Sequence, residues 1–432
     1  MTSRESSGPS TGTPSPRAGT AVTMLLLGEP AFDYRVIKEA STLTAAGYQV
    51  TIVCLPPGSV AERPIQIGGA AIIRCTAARP LRVLTRLLPG RGHSPRQDTA
   101  SPCARSGANL PRKRNRWRVL REARALAGTL WLNLALARAA IRVPAGIVHA
   151  HDLDTLWAGA LVARKMSARL IYDAHELYPD MLAQSSQLYN GCWRLIEHHL
   201  IARARAVITV NQILALELRN RHRLVRLPAV VMNCPPLQPI PPRPTGDDGT
   251  IGIIYLGALL PERGLEVLLR ALPTITPSVV LHVRGSGPLR SWLDAQVSNP
   301  DIKGRLIVHE PVSAEQLGAT LAGMDIGVIP YVATSLNNYL CSPNKLFDYC
   351  MGGLAVVASD LPEVRRELER HGAGLLYNPE DPAALAQAVN RLAGDQVLLR
   401  RLQQSARRAA EEEFHWASQA RVLLETYREA LD

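Results

Sequence analysis

No apolar run in this 432-residue chain reaches the ~18–20 residues that a membrane-spanning helix requires. The longest candidate, Ala125 to Ala137, has 13 residues and is flanked by arginines. The N-terminal stretch lacks the apolar centre of a secretory signal, and its Ser, Thr, Pro and Gly content reads as a disordered tail over 1–19. Cysteine is sparse and scattered: seven residues, with no CxxC pair. That excludes a disulfide framework and a zinc-finger type of site, and it fits a reducing, cytoplasmic location. Cys341 and Cys350 read as small buried fillers. No H-E-x-x-H spacing exists, and no G-x-G-x-x-G follows the first strand, which argues against a dinucleotide dehydrogenase. No internal repeat is visible.

What is present is ordinary for a globular protein, 47% hydrophobic and 20% charged, with length for two or three domains. The charge is not evenly spread. Residues 81–143 hold 14 Arg or Lys and 2 acids, so this region alone carries the whole net charge of +12.

Strand and helix patterns alternate along the first half. Apolar strands are expected at Thr20 to Gly28, Tyr48 to Leu55, Ala70 to Cys75, Gly146 to Ala150, Arg169 to Ala174 and Ala206 to Val210. Helices are expected over Arg35 to Ala46, Leu153 to Met166 and Cys192 to Ala204. Asn233 to Gly249 has six prolines and no apolar period, and reads as a linker. The alternation restarts at Thr250 and ends in helices after Asp381. Such βαβ alternation predicts parallel sheets with helices on both faces. The expected organisation is a domain over 20–232 with a basic insertion at about 81–143, a linker over 233–249, a domain over 250–414 and a final helix over 415–432.

The run Ser342 to Asp360, SPNKLFDYCMGGLAVVASD, is the most informative. It reads as a loop, a helix stopped by Gly352 and Gly353, and a buried strand. Lys345 would sit near the free N–H groups of the helix start, an anion site. Asp348 lies one turn on, on the same face. A cation for phosphate beside a carboxylate for a hydroxyl suits a sugar nucleotide. Two strand-to-helix loops join it: YLGALLPERGLEV, with Gly257, Arg263 and Gly264, and VRGSGPL, with Gly285 and Gly287. Such loops at the C-terminal sheet edge bind ligands in open α/β folds. In the first half, HAHDLDTLWAG and YDAHELYPD each follow a short strand, setting His151, Asp152, His175 and Glu176 at a sheet edge. The plain alternative is a helix capped by Asp152 with satisfied histidines; a metal cluster is the rival reading, disfavoured because no H-E-x-x-H spacing exists.

The 342–360 run resembles the donor-binding segment of family-4 retaining glycosyltransferases of the GT-B fold, P-x-K-x-x-E-Y-M-x-x-G-x-P-V-V-A-S. Pro343, Lys345, Asp348, Tyr349, Gly353, Val356, Val357, Ala358 and Ser359 match it. The resemblance implies two Rossmann-like, doubly wound α/β domains with a cleft between them. It implies a retaining, metal-independent transfer of a sugar from a nucleoside diphosphate sugar to a hydroxyl acceptor, with no cofactor. Implied catalytic residues are His151, His175, Arg263 and Lys345. Implied donor contacts are Gly257, Arg263, Gly285, Gly287, Asn344, Lys345, Leu346 and Asp348. Asp152, Glu176 and Arg35 fall on the acceptor side, and Arg35 and Lys38 read equally as solvated helix charge. Two departures stand out. Ala258 replaces the usual Arg of the phosphate loop. Leu340 replaces the first acid of the E-x7-E spacing, so backbone, Asn337, Asn338 or Tyr339 would contact the donor sugar. Two other readings stay open: a GT-B sugar-nucleotide epimerase, which acts on the same kind of ligand, and a non-catalytic partner subunit, which Leu340 keeps open.

The Arg112–Arg142 region, helical from Trp117, sets basic residues beside Trp and Leu. That suits an anionic membrane surface and a lipid-linked acceptor, with peripheral attachment at the inner membrane face. A disordered basic loop followed by a core helix is the alternative. No nucleic-acid reading motif accompanies it.

Overall fold

The computed structural model describes residues 19–56, 66–76, 113–181, 185–239 and 249–432. The expected tail, the Pro89 to Pro111 stretch and the second half of the linker lie outside these residues, as does Arg112.

Two sheets form two α/β domains. The first holds β1 (Ala21–Leu26), β2 (Gln49–Cys54), β3 (Gln66–Ile67), β4 (Ala70–Arg74), β5 (Ile147–His151), β6 (Arg169–Ala174), β7 (Ala206–Thr209) and β8 (Ala229–Val230), in the order β3-β4-β2-β1-β5-β6-β7-β8. Among the described residues, only the β3–β4 pair is antiparallel. The second holds β9 (Ile251–Leu256), β10 (Val279–Arg284), β11 (Leu306–His309), β12 (Ile326–Ile329), β13 (Ala355–Ser359) and β14 (Gly374–Tyr377), in the order β11-β10-β9-β12-β13-β14, all parallel. In each sheet the chain leaves the first strand to one side and returns to its other side. The C-terminal ends of β1 and β5, and of β9 and β12, therefore flank the crevices where such sheets bind ligands.

The central strands lie where continuous apolar runs predict them, because helices cover both faces and bury them. All six residues of β9 and all five of β13 are buried. Alternate residues of β1 serve opposite faces, as the period of a strand requires. Leu25 joins Val148, Leu156, Tyr172 and Trp193 on one side, and Met24 joins Ile52, Ile171 and Leu423 on the other. The second of these faces is completed from the far end of the chain. Helix Trp416–Leu431 returns to the first domain and inserts Leu423 and Tyr427, both fully buried.

The basic helix runs over Lys113–Ala140. Its C-terminal half is core, with Leu136 and Ala140 fully buried, whereas Val119 and Leu120 are 36% and 50% exposed. Residues 233–239 do not hang free. Asn233 Oδ1 and the Cys234 carbonyl accept from Lys38 Nζ at 2.7 and 2.6 Å, and the Pro235 carbonyl accepts from the Trp416 N–H at 2.8 Å.

Candidate functional site

Three side chains fix the helix Asn344–Met351 at the mouth of the second sheet. Leu346 and Phe347 are buried in the core. Tyr349 reaches under β12, where its ring occupies the space that a side chain on Gly327 would need; a Cβ there would stand 2.3 Å from the ring. Its hydroxyl accepts from the Leu256 N–H at 3.0 Å and donates to the Val328 carbonyl at 3.3 Å. The helix is thereby bolted to β9 and β12, and Lys345 and Asp348 face a cavity of ≈ 530 Å³.

Lys345 is 6% exposed. Its ammonium lies 4.1 Å from the centre of the Tyr255 ring and 4.5 Å from that of Tyr331, with the Tyr331 hydroxyl at 3.4 Å. The Arg263 guanidinium also packs on Tyr331, 4.4 Å from the ring centre. Among the described residues neither cation forms an ion pair. Burial, with Arg263 alongside, pushes the Lys345 ammonium well below its ordinary range. Two basic groups with no ion-pair partner among the described residues, at the end of β9 and β12, make a site for an anion, whose charge would favour the protonated Lys345. Burial raises the Asp348 carboxyl to about 6, against the pull of Lys38 and Lys345.

The loops bring backbone close. Gly264 (φ 71°) lets the turn after Arg263 lie against the Pro330 carbonyl, where a Cβ would be 1.5 Å from the oxygen. Gly285 (φ 157°) crosses the Gly257 carbonyl just as tightly. Gly257, Arg263, Gly285, Asn344, Lys345 and Asp348 all line the cavity. Gly287 is placed differently from that group: it shapes the turn, against Leu259. Leu346 faces the core, not the donor cavity, because its position on the helix points inward.

A second cavity, of ≈ 260 Å³, continues from Arg263, Tyr331 and Asn344 into the space between the domains. Arg35, His175, Glu176, Asn337 and Leu340 line it. Behind it lies a buried polar network. Asp173, at the end of β6, accepts from Arg35 Nε and Nη2 at 2.8 Å each, and from His175 Nε2 at 3.1 Å. Arg35 also bonds the Val231 carbonyl and sits 3.1 Å from Glu39. It is therefore a buried ion-pair hub, not a solvated helix charge. His175 Nδ1 lies 3.3 Å from Asp152, whose other oxygen accepts the His175 N–H at 3.0 Å. Burial opposes protonation of His175, but Asp152 and Asp173 outweigh it and raise the imidazole to about 10. His175 is thus a cation at neutral pH.

His151 takes another place. It is 1% exposed, stacked on His149 at 4.3 Å and set behind His175, and burial drives it down to about 3. It does not face the cleft; its strand position turns it under the sheet edge. Asp152 does not cap its helix with its side chain, which is spent on His175 instead. Glu39, His149, His151 and Asp173 hold ligand-type atoms within 4.8 Å of one another. The Arg35 guanidinium already takes both Asp173 oxygens, so a cation placed there would meet a fixed positive charge.

Sequence reading missed Tyr255 and Tyr331, which cage Lys345, and Asp173, the hub. Tyr331 carries no motif signal. Asp173 had one: it stands near the end of a strand two residues before His175, a spacing that brings two side chains to one side of an extended chain.

The comparisons agree with this geometry. Residues 35–235 match the model described as Glycosyltransferase Family 4, and residues 250–395 match Glycosyl transferases group 1. A D-inositol 3-phosphate glycosyltransferase of Xylanimonas cellulosilytica is 26% identical over 182 residues, which is 41% of this chain and 42% of that protein, so the chain spans less than half of that relative. A sucrose-phosphate synthase of Thermosynechococcus elongatus has the same fold, with a TM-score of 0.71 at 18% identity over 95% of this chain and 98% of that one. Anabaena HepE in complex with UDP and glucose superposes with a TM-score of 0.67 at 15% identity, over 94% and 99%. Each domain is thus matched by its own glycosyltransferase model, and the chain has the GT-B fold of these structures.

Proposed function

We propose that the protein transfers a sugar from a nucleoside diphosphate sugar to a hydroxyl acceptor, with retention at the anomeric carbon and without a metal. The observation that carries this reading is Lys345: buried, ring-caged and without an ion-pair partner among the described residues, beside an equally unpaired Arg263. Such a pair favours a diphosphate, and it favours it more as the leaving group gathers charge. Arg263 offers a planar fork to two oxygens, and Lys345 a point charge. They supply the positive charge that a divalent cation would otherwise bring. Asp348 accepts from the ribose hydroxyls. The His175 imidazolium, held by Asp152 and Asp173, faces the interdomain cavity and stabilises charge on the donor. Val231 and Asp173 hold Arg35 beside it.

The acceptor is read as lipid-linked, presented at an anionic membrane face to which the protein binds peripherally from the cytoplasm. Among the described residues no helix is long and apolar enough to cross a membrane. Support comes from a groove of ≈ 600 Å³ beside the basic helix, where Arg138 and Arg142 are exposed next to Ile73 and Trp131.

The test of the central claim is calorimetric titration of UDP, GDP and ADP into the wild type and Lys345→Ala, with and without EDTA. One base should bind the wild type, EDTA should change nothing, and Lys345→Ala should lose about 30-fold or more in affinity, the scale of a buried charge-assisted contact. Unchanged affinity in Lys345→Ala would remove the phosphate assignment. The anomeric configuration of the product, read by NMR coupling constants, tests retention.

A further inference from the structure

The two cavities meet at Arg263, Tyr331 and Asn344, which line both. If the diphosphate rests between Arg263 and Lys345, as proposed above, its two substituents leave in different directions. The nucleoside runs into the larger cavity, toward Asp348 and Arg284. The sugar on the other phosphate enters the smaller one. Two carboxylates line that smaller space, Asp33 and Glu176. Asp33 is already engaged as a helix cap, accepting the N–H groups of Arg35 and Val36 at 3.1 and 3.2 Å. Leu340 offers only an aliphatic side chain there, and Asn211 Nδ2 occupies its carbonyl at 2.9 Å.

Glu176 is held in place from the opposite domain. Asn337, on helix Leu336–Leu340, donates from Nδ2 to Glu176 Oε2 at 3.0 Å. The Asn337 Oδ1 accepts the Leu177 N–H at 2.8 Å, which fixes the amide's orientation. The amide therefore aims its donor at the carboxylate, and both of its ends are used, leaving little for a ligand. Burial pushes the Tyr331 hydroxyl and the Cys341 thiol upward, and the Glu176 carboxylate across the cavity adds to both shifts. A carboxylate accepts hydrogen bonds only, at about four lone-pair sites, and one contact from Asn337 leaves capacity for two hydroxyls.

We propose that Glu176, clasped by Asn337, is the residue that reads the donor sugar, accepting hydrogen bonds from adjacent free hydroxyls of the transferred ring. This moves Glu176 from the acceptor side to the donor side of the cleft. It rests on the diphosphate reading of Arg263 and Lys345. It also makes sugar recognition depend on the closeness of the domains, since the anchoring amide and the carboxylate belong to different ones.

The experiment compares nucleoside diphosphates with the matching sugar nucleotides (UDP with UDP-glucose, GDP with GDP-mannose, ADP with ADP-glucose) by calorimetry on the wild type, Glu176→Ala, Glu176→Gln and Asn337→Ala. For the base that binds, Glu176→Ala should hold the diphosphate within about twofold of wild type and weaken the sugar nucleotide about tenfold or more, as loss of hydrogen bonds to a charged group implies. Glu176→Gln, which keeps one acceptor, should fall between, and Asn337→Ala should shift the same ratio. The unchanged diphosphate affinity shows that the variant is folded. Equal weakening of both ligands, or of neither, would overturn the assignment and leave Glu176 as a clasp only. A wild type that binds no nucleotide would overturn the diphosphate site itself, and this inference with it.

Discussion

Lys345 is costly to the empty protein and useful to the filled one. A buried ammonium facing two tyrosine rings and an arginine favours its neutral form. Its pKa is lowered on folding, so the unfolded chain binds the proton more readily, and stability rises with pH across the window between the folded value and the ordinary ~10.4. A bound diphosphate reverses that preference. Binding should therefore take up a proton, and calorimetric titrations in two buffers of different ionisation heat should disagree by the heat of that uptake. Identical heats would remove this coupling. Lys345→Met should leave the empty protein at least as thermally stable as the wild type, while abolishing the nucleotide-induced rise in Tm. His175 behaves in the opposite sense. Its folded pKa is raised to about 10, so its contribution is complete below the ordinary ~6.5 and is lost as pH climbs toward about 10. His175→Gln should flatten the alkaline loss of stability in pH-dependent denaturation, and the wild-type His175 ring signal in NMR should stay in its protonated position through neutral pH.

Among the elements, helix Asn344–Met351 shows why a motif is spaced as it is. Lys345 and Asp348 face the cavity, Leu346 and Phe347 the core, and Tyr349 the strands below. The tyrosine is tolerated only because β12 offers a glycine beneath it. Gly327→Ala would place a methyl 2.3 Å from the ring, and overpacking of this kind costs about 1–3 kcal/mol or more. The variant should melt several degrees lower in calorimetry and bind nucleotide more weakly, since the helix that carries Lys345 would shift. Changing Tyr349 to Leu in the same chain should recover part of the stability but not the hydroxyl contacts to Leu256 and Val328. The sequence made the helix legible through its stop at Gly352 and Gly353. It could not show Gly327, because a lone glycine in a strand has no local signature of what lies above it.

Over the whole molecule, the last helix is part of the first domain's core. Tyr427 donates or accepts at 2.5 Å with His149 Nδ1, and its ring stacks edge-on against Tyr48. Trp416 Nε1 donates to Thr42 Oγ1 at 2.9 Å, with Lys38 over the indole ring. Tyr427→Phe should destabilise the chain by about 1–2 kcal/mol, the scale of a buried polar atom, here His149 Nδ1, left without its partner. A chain ending before Trp416 should expose Leu423's site against Met24 and Ile52, and lose solubility rather than activity alone. The alternation of strands and helices, the parallel sheets, the glycine-bearing loops after β9 and β10, and the placement of Lys345 and Asp348 on one helix face were set locally. Short-range periodicity, capping and turn chemistry decide them, so the amino-acid order by itself determined them. The cage of Tyr255 and Tyr331, the retreat of His151 behind His175, the Arg35–Asp173 hub and the Asn337–Glu176 clasp join residues from distant parts of the chain. Only the tertiary structure decided these, because burial, which sets both their charge states and their partners, is a property of the packed molecule and of no segment within it.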